Sequence, residues 1–167
     1  NVLLSFAQFE REMISERTRD KIAAARRKGK WAGGMPILGY TVVDTKLVVD
    51  ETEAERVREI FRLYLERKSL LDVVRELDRR GWQTKSWTTR KSTTRGGRPF
   101  NKKSLYDLLT NVAYIGKIRY KNEVHGGEQT PIVDKQVFAD TQVLLKRNGR
   151  SGGRATRTKH AALLRGM

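Results

Sequence analysis

Phe6-Ala-Gln-Phe9-Glu10-Arg11-Glu-Met13-Ile14-Ser15-Glu16-Arg17-Thr18-Arg19 opens a stretch that runs through Arg26-Arg27-Lys28-Gly29-Lys30 to Gly33-Gly34-Met35-Pro36. It reads as one long helix over residues 1–30. Ala23-Ala24-Ala25 favours helix, and Gly29 with Gly33-Gly34 ends it. A helix of about 28 residues is roughly 40 Å long. That exceeds what a small domain needs, so the helix is expected to bridge two bodies. It starts with neither a capping residue nor an initiator Met, as a segment taken from something larger would. Phe6, Phe9 and Met13 form one apolar stripe. The stripe packs either on this chain's own domain or on a partner helix or neighbouring domain.

Charge is the strong compositional fact. The 167 residues carry a net charge of +16. Between Asp78 and Asp107 there is no acid, and Arg79, Arg80, Lys85, Arg90, Lys91, Arg95, Arg98, Lys102 and Lys103 fall there. After Asp140 there is again none, and Lys146, Arg147, Arg150, Arg154, Arg157, Lys159 and Arg165 follow. These two runs account for the whole excess. Localised positive charge implies a polyanionic partner, foremost nucleic acid. A solubilising basic tail remains an alternative for the second run. No apolar run reaches membrane-span length, and no signal peptide is present. With no Cys there is neither a disulfide nor a thiolate metal site, which suits a reducing cytoplasm. His125 and His160 are too few and too distant to suggest a metal cluster.

The fold expected is α+β: a long N-terminal helix, then a small, mainly helical domain with short β-hairpins. Residues 31–36 read as a basic, glycine-containing linker. Tyr40–Val43 and Leu47–Val49 read as a hairpin about Asp44-Thr45-Lys46. Asp50-Glu51-Thr52 opens a helix to about Arg67, with Ala54, Val57, Ile60, Phe61, Tyr64 and Leu65 facing inward. Ser69 caps the next helix, Leu70 to Arg80, which buries Leu70, Val73, Val74 and Leu77 and stops at Gly81. Residues 83–99 read as a mobile polar loop. Trp82 and Trp87 at its start belong either to the core or to a base-stacking surface. Asn101 caps a third helix, Lys102 to Leu109, with Leu105, Leu108 and Leu109 inward. Tyr114 to Tyr120 reads as a strand. Gly126-Gly127 then turns the chain into Gln129–Val133, and Asp134 caps a last helix to about Arg147. The domain is placed at 37–148. Residues 149–167 form a basic linker in which Ala161 to Met167 opens a further domain.

Several strings carry a resemblance to a known family. Phe6-Ala-Gln-Phe9-Glu10-Arg11, Ile14-Ser15-Glu16-Arg17-Thr18 and the basic end before Gly33-Gly34-Met35-Pro36 resemble the long helix that joins the catalytic domain of serine recombinases to their DNA-binding region. Gly39-Tyr40, Leu47 to Asp50, Glu53-Ala54, Val57 to Phe61, Arg80-Gly81 and Ser104-Leu105 through Leu108, Asn111, Tyr114-Ile115-Gly116-Lys117 resemble the recombinase domain of large serine recombinases, the integrases and transposases of phages and mobile elements. The resemblance spans nearly the whole chain. It implies site-specific DNA integration and excision through a catalytic serine that would lie in a domain upstream. Ser5 and Ser15 do not match that nucleophile's surroundings, so this segment is expected to be catalytically inert. The resemblance further implies a double-stranded attachment site as partner, contacts with other recombinase subunits, a cytoplasmic setting in a bacterial host and no membrane. It implies no cofactor within these residues; zinc belongs to a downstream ribbon carrying Cys pairs that this chain lacks.

Candidate DNA-binding residues follow from charge and the resemblance together. Arg17, Lys21, Arg26, Arg27, Lys28 and Lys30 line the basic helix end, with Arg17 taken as a phosphate contact. Gly33 and Gly34 let a thin linker enter the minor groove. The helix after Asn101 is the candidate major-groove reader, offering Asn101, Lys102, Lys103, Ser104 and Tyr106, with Arg95 and Arg98 before it and Lys117 on a basic wing. Asn101 and Ser104 could equally be caps alone. Phe6, Phe9, Glu10, Arg11 and Met13 are the candidate interdomain or subunit contacts, against the alternative of ordinary helix-surface pairs for the charged ones. The competing function is a non-enzymatic DNA-binding regulator on a related fold. An RNA binder is disfavoured by the lack of an aromatic strand motif. A tyrosine recombinase is disfavoured because His125 has no Arg three residues on.

Overall fold

The computed structural model describes residues 2–89 and 92–152. Arg90, Lys91, the expected linker beyond residue 152 with His160, and the Ala161–Met167 segment lie outside the described residues. Helix α1 (Val2–Arg27) is long and single, as expected. It ends earlier than Lys30 because Gly29 turns left-handed at φ +73. The Lys30 N–H then closes back onto the Ala25 carbonyl at 3.0 Å, and Gly29 N–H onto Arg26 at 3.0 Å. This satisfies carbonyls that a helix end leaves open. Gly33 and Gly34 lie beyond the stop rather than forming it.

Strands β1 (Tyr40–Val43) and β2 (Lys46–Val49) pair antiparallel, with Tyr40 opposite Val49 and Val43 opposite Lys46. Asp44 and Thr45 both take positive φ, the backbone of a tight primed hairpin turn. Helix α2 (Glu51–Arg67) starts where the Asp50 carboxylate accepts the Glu53 N–H. Helix α3 (Leu70–Arg79) starts where the Ser69 hydroxyl accepts the Asp72 N–H. Strands β3 (Trp87–Thr88) and β4 (Thr94–Arg95) form a short hairpin. Helix α4 (Lys102–Leu109) follows, then a 3-10 turn over Val112–Ile115. Strands β5 (Lys117–Tyr120) and β6 (Glu123–Gly126) form a ribbon, and helix α5 (Lys135–Gly152) closes the described chain.

One core joins β1, β2, α2, α3, α4, the 3-10 turn and α5. Tyr40, Ala54, Val57, Ile60, Phe61, Tyr64, Val73, Leu77, Leu105 and Leu109 have no exposure, and Leu108 and Tyr114 are buried with them. The inward faces read for α2, α3 and α4 are therefore the packed faces; Leu65, Leu70 and Val74 sit half-buried at the edge. Tyr40 and Tyr114 stack at 6.3 Å, and Phe61 meets Tyr114 edge-on at 5.9 Å. The Tyr40 hydroxyl lies 2.7 Å from the Thr130 carbonyl and 3.1 Å from that of Ala113, so this buried polar atom is satisfied. Burial holds its pKa well above the ordinary tyrosine value.

Three expectations need correction. Residues 83–99 are not an open loop. Beyond the β3–β4 pair, Gln83 bridges to Pro99, and the Thr84 N–H donates to the Arg98 carbonyl at 2.9 Å. The strand expected from Tyr114 begins only at Lys117. The Asn111 side chain accepts the Ala113 N–H at 3.0 Å and folds the preceding residues into a 3-10 turn that Gly116 ends. Helix α5 also continues past Arg147 to Gly152. The Asn148 amide donates to the Lys68 carbonyl at 2.8 Å and to the Tyr64 hydroxyl at 3.2 Å, which pins that turn to α2.

Candidate nucleic-acid interface

A groove of about 950 Å³ opens between three walls. One is the chain from Met35 to Leu38 leading into β1. The second is the arm, residues 84–89 and 92–98, built on the β3–β4 hairpin. The third is the start of α4 with Asn101, Ser104, Asp107 and Leu108. Four sequence candidates thus meet here: Arg95, Arg98, Asn101 and Ser104. Lys102, Lys103 and Tyr106 stand exposed on the same short helix.

Local chemistry divides these residues by role. Asn101 Oδ1 accepts the Ser104 N–H at 2.8 Å, and Ser104 Oγ accepts the Asn101 N–H at 2.9 Å. This reciprocal capping box fixes the helix start and engages both side chains. Their first role is therefore structural. Lys103 Nζ lies 2.7 Å from Asp107 Oδ2, an exposed i,i+4 pair. Arg79 and Arg80 both donate to Glu76, and Arg80 also to Glu59. Hydrogen bonds from Arg79 and then Arg80 hold the Glu76 carboxyl down at about 2. Lys85 is paired with Glu53 at 2.5 Å. Within the first acid-free run, ion pairing therefore absorbs Arg79, Arg80, Lys85 and, loosely, Lys103. Among the described residues of that run, the exposed cations left are Arg95 and Arg98, which line the groove, and Lys102, which stands on α4 next to the groove residue Asn101.

A second basic surface lies at the end of α1. Arg17, Lys21, Arg27, Lys28 and Lys30 are exposed, whereas Arg26 is half-buried with its guanidinium 5.8 Å from the Tyr120 ring. Lys117 and Arg119 are exposed on β5. Lys117 thus sits on the ribbon against which α1 ends, not in the groove. Gly33 and Gly34 are exposed at φ +83 and +123, and a Cβ on either would meet nothing within 4 Å. Phe6 and Phe9 are 64% and 59% exposed, with Glu10 and Arg11 exposed and Met13 half-buried beside them. The apolar stripe is therefore not covered by the described residues.

The tryptophans part ways. Trp82 packs against the core beneath Arg80, at 5.3 Å, and Arg56, at 6.0 Å. Trp87 is half-buried and lines the groove. Lys85 is a charged groove residue missing from the sequence-derived site, and Trp87, weighed there for base stacking, is the tryptophan that lines the groove. The alternation Lys85-x-Trp87 was a faint strand signal, but Lys85's partner lies on α2 and leaves no local trace. Among the described residues, no group of three or more His, Cys, Asp or Glu is placed to hold a metal, and no helix is long and apolar enough to cross a membrane.

The geometry defines a small α+β domain with a cationic groove beside a short capped helix. The Recombinase family model matches residues 51–148, more than half of the chain, and the model of the resolvase N-terminal domain matches residues 1–31. The chain belongs to the Recombinase family. It is similar to the protein in a crystal structure of an LSR–DNA complex, with 24% identity and a TM-score of 0.65 over 80% of this chain and 40% of that one. It is also similar to a structure that concerns the sequence requirements of the Listeria innocua prophage attP site, with 22% identity and a TM-score of 0.64 over 81% of this chain and 54% of that one. The chain thus spans about half or less of these solved chains, and the likeness is one of fold. No curated protein matches it.

Proposed function

We propose that residues 1–167 bind double-stranded DNA in a sequence-dependent way, as the DNA-binding region of a large serine recombinase that integrates and excises a mobile element. The observation that carries this reading is the convergence of exposed Arg95 and Arg98 on one groove, with Lys102 exposed on α4 next to the groove residue Asn101, all within the segment that matches the Recombinase family. Helix α4, at eight residues, is roughly 12 Å long, a length that a major groove of about that width admits. Lys102 and Tyr106 then face base edges while Arg95 and Arg98 hold phosphates. Met35 and Pro36, preceded by the two unobstructed glycines, follow the adjoining minor groove.

Cleavage belongs to a serine outside these residues. Ser5 and Ser15 support this, since both are exposed on α1 rather than set among activating groups. The exposed Phe6 and Phe9 stripe, with Glu10, Arg11 and Met13, meets a catalytic domain or another recombinase subunit. Residues 1–30 act as the connecting helix, 37–148 as the DNA-binding domain, and the segment after α5 as a basic lead toward a zinc ribbon that supplies its own cysteines. The setting is the cytoplasm of a bacterial host.

Gel-shift and footprinting with sites selected from a randomised duplex pool test the reading. The chain is expected to shift selected duplexes, to protect both grooves and to leave the strands uncut. A covalent protein–DNA adduct formed by this chain would overturn the assignment of cleavage to another segment. Failure to enrich any duplex would overturn the DNA reading itself.

A further inference from the structure

Glu53 and Lys85 are separated by 32 residues, yet they meet beside the groove. Lys85 Nζ donates to Glu53 Oε2 at 2.5 Å, and the same oxygen accepts the Gly39 N–H at 2.9 Å. Both side chains are largely shielded, at 16% and 22% exposure. One carboxylate oxygen therefore ties two walls of the groove to the first turn of α2. Gly39 directly follows the Met35–Leu38 wall. It is itself locked: its φ is +90, and a Cβ there would come within 2.7 Å of the Ile132 side chain. Lys85 is locked within the arm. Its carbonyl accepts the Gly97 N–H at 3.3 Å, and a Cβ on Gly96 would fall 1.9 Å from that carbonyl oxygen. Neither anchor can shift alone without breaking its own wall.

We propose that Glu53 and Lys85 are a positioning pair that sets the separation between the Met35–Leu38 wall and the arm carrying Arg95 and Arg98, and so the register of the two sets of DNA contacts. The inference rests on reading the groove as the duplex face. Lys85 is not a spare phosphate ligand here, because its ammonium is turned onto Glu53. A shielded pair leaves an uncompensated charge when one partner is removed, unlike an exposed pair. Successive base pairs are about 3.4 Å apart along a strand. Walls held by one carboxylate oxygen cannot absorb that displacement, whereas an arm released from Glu53 can.

The test uses the duplex selected by the parent chain and a second probe with one base pair inserted between the linker and arm footprints. Lys85→Met keeps the stem and loses the charge; Lys85→Arg keeps the charge. The parent and K85R are expected to bind the intact probe at least about tenfold more tightly than the inserted one, and K85M to bind both within about twofold of each other. Glu53→Gln keeps an acceptor for the Gly39 N–H but not the ion pair, so it should behave as K85M does; it carries the test if K85M fails to fold by circular dichroism. Variants that keep the parent's discrimination, or that lose affinity for both probes by the same factor, would overturn the proposal while leaving the DNA reading intact. A parent chain that binds no duplex would overturn both.

Discussion

Lys102 and Lys103 are adjacent at the start of α4, but only Lys103 is engaged, with Asp107 at 2.7 Å. That pair is exposed on both sides, so it is worth no more than about 1 kcal/mol and yields readily to a phosphate or base edge. Lys146 lies on α5, outside the groove walls. Reversal to Glu should therefore weaken binding to a selected site most at Lys102, somewhat less at Lys103 and least at Lys146. A correct bidentate base contact contributes about 1–3 kcal/mol of discrimination. Competition gel shifts against scrambled duplex measure it; equal losses at all three positions would mean that α4 does not read bases. A second residue-scale expectation concerns pH. Glu76 is held down from 4.5 to about 2 by Arg79 and Arg80. A carboxyl lowered on folding stabilises in full above its unfolded value, and that contribution fades as pH falls through the folded one. The gap in Tm between the parent and Glu76→Gln should thus be widest above pH 4.5 and close on approach to pH 2. A gap unchanged over that window would mean that the pair contributes through packing, not charge.

The elements fell to two kinds of signal, one local and one not. Asp50, Ser69 and Asn101 each announce a helix, and each does cap one. The spacing of Val57, Ile60, Phe61 and Tyr64 was enough to find the core because helical periodicity is written in neighbouring residues. The arm was not legible in the same way. Its strands are two residues each, and what holds it is the Lys85 carbonyl under Gly96 and a carboxylate on α2. The extension of α5 through Gly149 likewise depends on Asn148 reaching Lys68 and Tyr64. Glycines show the same divide. Gly29, Gly33 and Gly34 all read as the helix stop, but of the three only Gly29 is crowded: its added Cβ would lie 2.0 Å from the Gly126 carbonyl oxygen. Its own carbonyl accepts the Glu128 N–H at 3.0 Å, so α1 is docked on the β5–β6 ribbon at that point. Gly29→Val should then destabilise the chain by more than the roughly 1–3 kcal/mol of left-handed strain alone. Gly33→Val with Gly34→Val meets such strain at each position but no clash, in an exposed segment whose backbone can relax it; Tm should fall less, and the loss should appear in DNA affinity because bulk is placed in the minor-groove path. Thermal melts and gel shifts on both variants separate the cases, and a double variant that binds as the parent does would make residues 33–36 a passive spacer.

Taken as a whole, the molecule carries +16, and that charge by itself makes every arginine equivalent. The structure makes them unequal. Binding to duplex releases condensed counterions, and log K falls against log salt with a slope of about −0.9 for each phosphate neutralised. Only a cation that can leave its present partner for a phosphate contributes to that slope. Arg79 and Arg80 are held by Glu76, with Arg80 bridged also to Glu59. Moving either onto DNA would leave carboxylates exposed to the phosphates, so the exchange gains little. Arg95 and Arg98 in the arm, and Arg17 along α1, are exposed without such an anchor among the contacts described. Replacing Arg95, Arg98 or Arg17 singly with Ala should flatten the salt slope by about one unit each while leaving base preference nearly unchanged. Arg80→Gln should leave the slope as it is and lower Tm instead, because it loses Glu76, Glu59 and the face of Trp82 together. The measurement is a titration of a selected and a scrambled duplex across a range of potassium chloride, with melts of the same samples. Equal flattening by Arg80→Gln and Arg95→Ala would show that binding follows net charge alone, and that the groove gives the chain no oriented footprint on DNA.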